Sequence, residues 1–91
     1  MNELESLRNE IDRIDKELAD LFCRRMEIVE KIASCKKETG LPIADPAREA
    51  ALLASRLSCA PDDALRPYFK SFFETLLALS KDYQAELGGK R

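Results

Sequence analysis

From Asn2 to Thr39 the chain contains neither proline nor glycine, and its apolar residues fall at Leu4, Leu7, Ile11, Ile14, Leu18, Leu21, Ile28, Ile32 and Cys35. The steps are three and four, the spacing of a helix seam, and charged residues fill much of the rest. Gly40 and then Pro42 supply a C-cap and a stop. The pattern predicts a first helix over about residues 2–39, roughly 55 Å long at ~1.5 Å per residue. Asp45–Pro46 reads as an N-cap followed by proline at the first helical position. A second helix is predicted from there to about residue 59, with Leu52, Leu53 and Leu57 inward. After the break at Ala60–Pro61–Asp62–Asp63, a third helix is predicted over about residues 64–87, with Pro67 in its first turn. Its apolar positions are Leu65, Phe69, Phe72, Phe73, Leu76, Leu77, Leu79, Tyr83 and Leu87. Gly88–Gly89 should end it, leaving Lys90–Arg91 as a frayed tail. No alternating strand pattern and no internal repeat occurs, so the expected fold is all-α, three helices in one domain over residues 1–91.

The length of the first helix decides the assembly. A compact globule of 91 residues has a radius of gyration near 12 Å and is about 25–30 Å across. The helix overhangs any such globule, so its apolar seam needs a second chain, and an intertwined homodimer is expected.

Composition narrows the chemistry. Fifteen basic and seventeen acidic residues give a net charge of −2, without the basic excess that marks nucleic-acid or membrane-surface partners. No apolar run approaches the ~20 residues of a membrane span. The N-terminus is polar and charged rather than a signal peptide, so the cytoplasm is the expected compartment. There is no histidine and no CxxC, and the three cysteines are Cys23, Cys35 and Cys59. A zinc site is therefore not expected, and free thiols fit a reducing compartment. Cys35 and Cys59 read as small core residues and Cys23 as partly exposed and inert. Ser–His and Cys–His nucleophiles cannot be built. With three glycines, two of them in the tail, no phosphate-cradling loop exists.

Polar residues then stand where a helical core wants leucine. Position 25 continues the seam 18, 21, 25, 28, 32, and it is Arg. A guanidinium there is costly unless something pairs it; it is either a register-setting or snorkelling residue or part of an anion site. Lys36 follows eleven residues later, only ~20° off the same face and ~16 Å along the axis. Alone, it reads equally as a complement to the helix dipole. Arg8 lies seventeen residues before Arg25, about 25 Å away, so within one straight helix it cannot share a ligand with Arg25. It could reach the equivalent site of an antiparallel partner, or be an ordinary solvated charge. Asp45 and Glu49 at the start of the second helix suit capping. Arg48 beside them does not, because a cation there is unfavourable. Ser80 and Gln84 lie four apart, continuing the apolar line Phe73–Leu77, as a pocket wall or as a surface pair.

These stretches resemble the all-helical class of chorismate mutases. The matching segments are LRNEIDRIDKELADLFCRR in the first helix, Lys36, PIADPARE over residues 42–49, and SKDYQ over residues 80–84. The resemblance covers nearly the whole chain and implies an intertwined antiparallel homodimer of three-helix chains, each of whose two sites takes one arginine from the neighbour. Carried over by position, Arg8 resembles that donated arginine and Arg25 the same-chain partner of a substrate carboxylate. Lys36 resembles the lysine near a carboxylate and the ether oxygen, and Gln84 the second donor to that oxygen. Asp45, Arg48 and Glu49 resemble the group around the ring hydroxyl, with Glu49 as acceptor, and Ser80 the contact to the ring carboxylate.

The implied activity is the [3,3] rearrangement of chorismate to prephenate in aromatic amino acid biosynthesis, an isomerase reaction without metal or cofactor. The segment carries no second enzymatic region, so a monofunctional protein is expected. Two other readings compete. An isochorismate–pyruvate lyase of the same fold, as that family is understood, lacks the glutamate and part of the polar pair, whereas Glu49 and Ser80 are both present here. A non-catalytic dimerisation module suits the seam but not Arg25 within it.

Overall fold

The computed structural model describes residues 2–88. It contains three helices, α1 (Glu3–Thr39), α2 (Pro46–Leu57) and α3 (Arg66–Gly88), and no strand among the described residues. No helix among these residues is long and apolar enough to cross a membrane.

Local chemistry explains each boundary. The Asn2 side chain accepts from the Glu5 amide at 2.8 Å and starts α1. Gly40, at φ +71°, ends it in the left-handed region, where a side chain would be strained. The Leu41 amide then reaches back to the Lys36 carbonyl at 2.9 Å. Asp45 caps α2 through the Arg48 amide at 3.1 Å, and Pro46 opens the helix as expected. Two boundaries fall short of the expectation. The α-helix α2 stops at Leu57 rather than about residue 59, because Cys59 and Ala60 donate to carbonyls only three residues back. The last helix starts at Arg66 rather than about residue 64, because Asp62 accepts the Leu65 amide at 3.0 Å and holds a separate turn. Gly88 closes α3; the expected fraying of Lys90–Arg91 lies outside the described residues.

α3 packs along both α1 and α2. The molecule measures 55 × 29 × 16 Å with a radius of gyration of 16.7 Å, well above the ~12 Å of a compact chain this long. One consequence is that little is buried. Among the described residues only Val29, Ser80 and Gln84 are below a tenth exposed, at 5%, 7% and 6%. The seam residues Leu4, Ile11, Ile14 and Leu21 each leave more than half of their surface open, and Phe72, Leu65 and Leu79 of the expected apolar set are exposed as well. Cys35 and Cys59, expected in a core, are both exposed, as is Cys23. Cys35 lies on the uncovered seam, and Cys59 sits past the end of α2 with its thiol towards the Ser55 carbonyl at 3.7 Å. An exposed apolar stripe of this length marks an interaction face.

Candidate active site

The two buried polar residues of α3 both hydrogen-bond to α1, as does Tyr83, whose hydroxyl donates to the Glu30 carboxylate. Arg25, half-buried, donates from its guanidinium to the Ser80 hydroxyl. Ser80 in turn donates to the Leu76 carbonyl at 2.8 Å, a bond within its own helix. One turn further, Lys36 donates to the Gln84 side-chain oxygen at 3.2 Å and to the Ile43 carbonyl at 2.6 Å. The second bond straps the segment between α1 and α2 onto α1. The first fixes the Gln84 amide with its oxygen towards Lys36, so its NH2 is the end left to donate. The alternative readings of Lys36 as a dipole complement and of Ser80 and Gln84 as a surface pair do not describe these contacts.

On α2, capping and site-building coincide. Asp45 accepts the Arg48 amide, and Glu49 Oε2 accepts the Asp45 amide at 3.1 Å, so the two carboxylates close the helix start reciprocally. Glu49 Oε1 meets Lys81 of α3 at 2.9 Å. The Lys81 hydrogen bond, followed by that from the Asp45 amide, holds the Glu49 carboxyl below its ordinary range.

These groups line one cleft of about 540 Å³ between the three helices. Arg25, Lys36, Asp45, Arg48, Glu49, Ser80 and Gln84 all face it, over an apolar floor that includes Val29, Ile32 and Leu77. Seven of the eight residues singled out in the sequence are thus brought together. Arg8 is not among the cleft's residues; it lies about 25 Å back along α1. Two charged cleft residues escaped the sequence reading, Arg56 and Lys81, as did the apolar Val29. Arg56 follows Arg48 and Leu52 at steps of four, so it shares their face, and this periodicity was the available signal. Lys81 adjoins Ser80 but carried no signal of its own.

The cleft's electrostatics are lopsided. Five cations, Arg25, Lys36, Arg48, Arg56 and Lys81, face two carboxylates, and both carboxylates are already engaged in capping or pairing. Burial, with the charge of Arg56 nearby, pushes the Arg25 guanidinium below its ordinary value, yet an arginine stays charged at any working pH. Such a cleft attracts an anion, and its planar guanidinium forks suit carboxylates.

The sequence model of chorismate mutase type II matches residues 7–85. The chain belongs to the chorismate mutase type II family. A T-protein of Enterobacter agglomerans is 50% identical over 54 residues, covering 59% of this chain and 14% of that protein. The bifunctional chorismate mutase/prephenate dehydratase of Aquifex aeolicus is 33% identical over 99 aligned positions, covering 99% of this chain and 27% of that protein. This chain therefore spans a minor part of the length of those relatives. Among solved structures, chorismate mutase (Form II) from Thermus thermophilus superposes with a TM-score of 0.86 at 29% identity, covering 91% of this chain and 94% of the other. The all-helical architecture expected for a chorismate mutase type II chain is the one observed, and Lys36, the 42–49 segment and the 80–84 segment that carry part of the resemblance all contribute to the cleft.

Proposed function

We propose that this chain is a chorismate mutase, an isomerase that converts chorismate to prephenate as one domain, and that it works as an antiparallel homodimer. The observation that carries the reading is the gathering of seven polar residues from three helices into one cleft with an excess of positive charge. Chorismate bears two carboxylates and an ether bridge. In the rearrangement one C–O bond breaks and one C–C bond forms within the same molecule, so no group leaves and no cofactor takes part. The protein has to hold the substrate in a near-attack chair and place donors where negative charge develops.

The cleft supplies these functions by position. Arg25, supported by Ser80, grips one carboxylate. Lys36 and the free NH2 of Gln84 converge on the ether oxygen as it gains charge. Glu49 accepts from the ring hydroxyl, beside Asp45 and Arg48. Ser80 contacts the ring carboxylate. The remaining grip comes from Arg8 of a second copy, laid head to tail along the exposed seam of α1. Each Leu or Ile of that seam is already about half covered, so burying the rest contributes roughly 1 kcal/mol, and the sum along the seam favours association. The three free cysteines fit a cytoplasmic setting, where thiols stay reduced.

The test is chorismate depletion by purified protein with the product identified. Prephenate formation is expected; an inert chain, or one that instead cleaves isochorismate to pyruvate when offered it, would contradict the proposal.

A further inference from the structure

Glu49 is the one acceptor assigned to the substrate's hydroxyl, and it is not a free carboxylate. Lys81 of α3 holds Oε1 at 2.9 Å, and the Asp45 amide holds Oε2 at 3.1 Å. The two holds come from different elements, so the carboxylate plane is pinned across the α2–α3 junction at the edge of the cleft. Each oxygen keeps a second lone pair for a substrate donor. Lys81 itself is 39% exposed and the Glu49 side chain 23%. A pair this open contributes little to stability, so its effect lies in where the carboxylate points and in keeping it ionised. Lys81 has none of the roles assigned above.

We infer that Lys81 is a positioning residue for the reaction, holding Glu49 as an aimed and ionised acceptor for the substrate's ring hydroxyl. The inference rests on the role proposed for Glu49. Lys81 faces the cleft without being assigned to substrate, and it acts through Glu49. The surrounding charges make this specific to Lys81. From α1 come Arg25 and Lys36, and from α2 Asp45, Arg48 and Arg56; α3 adds Glu74, which lines the opposite side of the pair with Lys81. Of the cations, only Lys81 lies within ion-pair distance of Glu49 among the described residues.

The sign of the pH effect follows. A protonated Glu49 no longer offers a full anionic acceptor, so activity falls as pH drops through its titration. Removing Lys81 raises that titration point, and the acid limb of the rate profile moves to higher pH with it.

The experiment compares the unaltered protein with Lys81→Met, Lys81→Gln and Lys81→Arg. Glu49 is titrated by carboxyl carbon NMR, and kcat and KM are measured with chorismate across the acid range. Lys81→Met and Lys81→Gln should raise both the Glu49 midpoint and the acid limb, and KM should rise about threefold to tenfold, the size expected for one weakened hydrogen bond. Lys81→Arg should restore both. An unmoved Glu49 midpoint in the Met and Gln variants overturns the pairing itself. A midpoint that moves while the acid limb stays overturns the positioning role. An acid limb that persists in Glu49→Gln overturns instead the role given to Glu49, on which this inference depends.

Discussion

The two halves of α1 carry one apolar repeat and differ in the polar contacts they make. From Leu4 to Leu21 the seam is regular and nearly all aliphatic, yet it lies open to solvent. From Arg25 to Lys36 the seam is interrupted by cations; Ile28 and Ile32 stay open there too, but Arg25 and Lys36 meet α3 at the buried Ser80 and Gln84. A self-contained monomer would do the reverse, burying leucine and exposing serine and glutamine. On the proposed reading, the apolar half serves association and the polar half chemistry. Arg8 stands in the first half while the cleft it is proposed to complete lies in the second, so the halves meet only when two copies pair.

The largest expected effect comes from breaking the apolar half. Ile11→Asp would be nearly silent, within about 0.5 kcal/mol, if that face stayed in solvent. Burial of an unpaired charge at a dimer seam instead predicts a loss of roughly 3–5 kcal/mol, with dissociation and lost turnover. Thermal melting and sedimentation read both.

Arg25→Leu probes the other half and should separate stability from activity. Replacing a seam guanidinium by leucine should leave melting unchanged or raise it, while kcat/KM falls by about 10²–10³ or more. A variant that keeps its turnover would remove Arg25 from the substrate's grip.

Gln84→Glu sharpens the comparison through pH. An amide donates at any pH, so the parent's rate should vary little near neutrality. A glutamic acid donates only while protonated, so the variant should be active at acid pH and lose activity as pH rises through its carboxyl titration. An unchanged pH–rate profile in the variant removes Gln84 from the ether oxygen.

The smallest effect concerns stability at low pH. Glu49 is held below its ordinary range chiefly by the Lys81 hydrogen bond. Its contribution is therefore present above the unfolded value of about 4.3 and lost as pH falls through the lower folded value. Glu49→Gln should make the acid side of the melting curve shallower, by a small amount because the group is partly open to solvent.

Much of this was legible in one chain, and for identifiable reasons. Arg25 and Lys36 lie eleven residues apart, Ser80 and Gln84 four apart, and helical geometry alone places each pair on a common face. Asp45–Pro46 wrote its own helix start. What stayed hidden depends on how α2 lies over α3. Arg56 and Lys81 stand out only once that packing brings them to one cleft. The helix ends near Cys59 and Leu65 differ from the pattern because three-residue turns continue a helical periodicity without its hydrogen bonds. Cys35 differs because its seam is covered by nothing within the chain itself.

The central claim, a site completed by a second copy, is tested most directly by mixing two inactive variants. Arg8→Ala and Arg25→Ala should each be nearly dead alone. Unfolded together and refolded, they should recover about one quarter of the parent's activity, since half of the dimers are mixed and each holds one intact site of two. No recovery from a well-folded mixture would contradict the account.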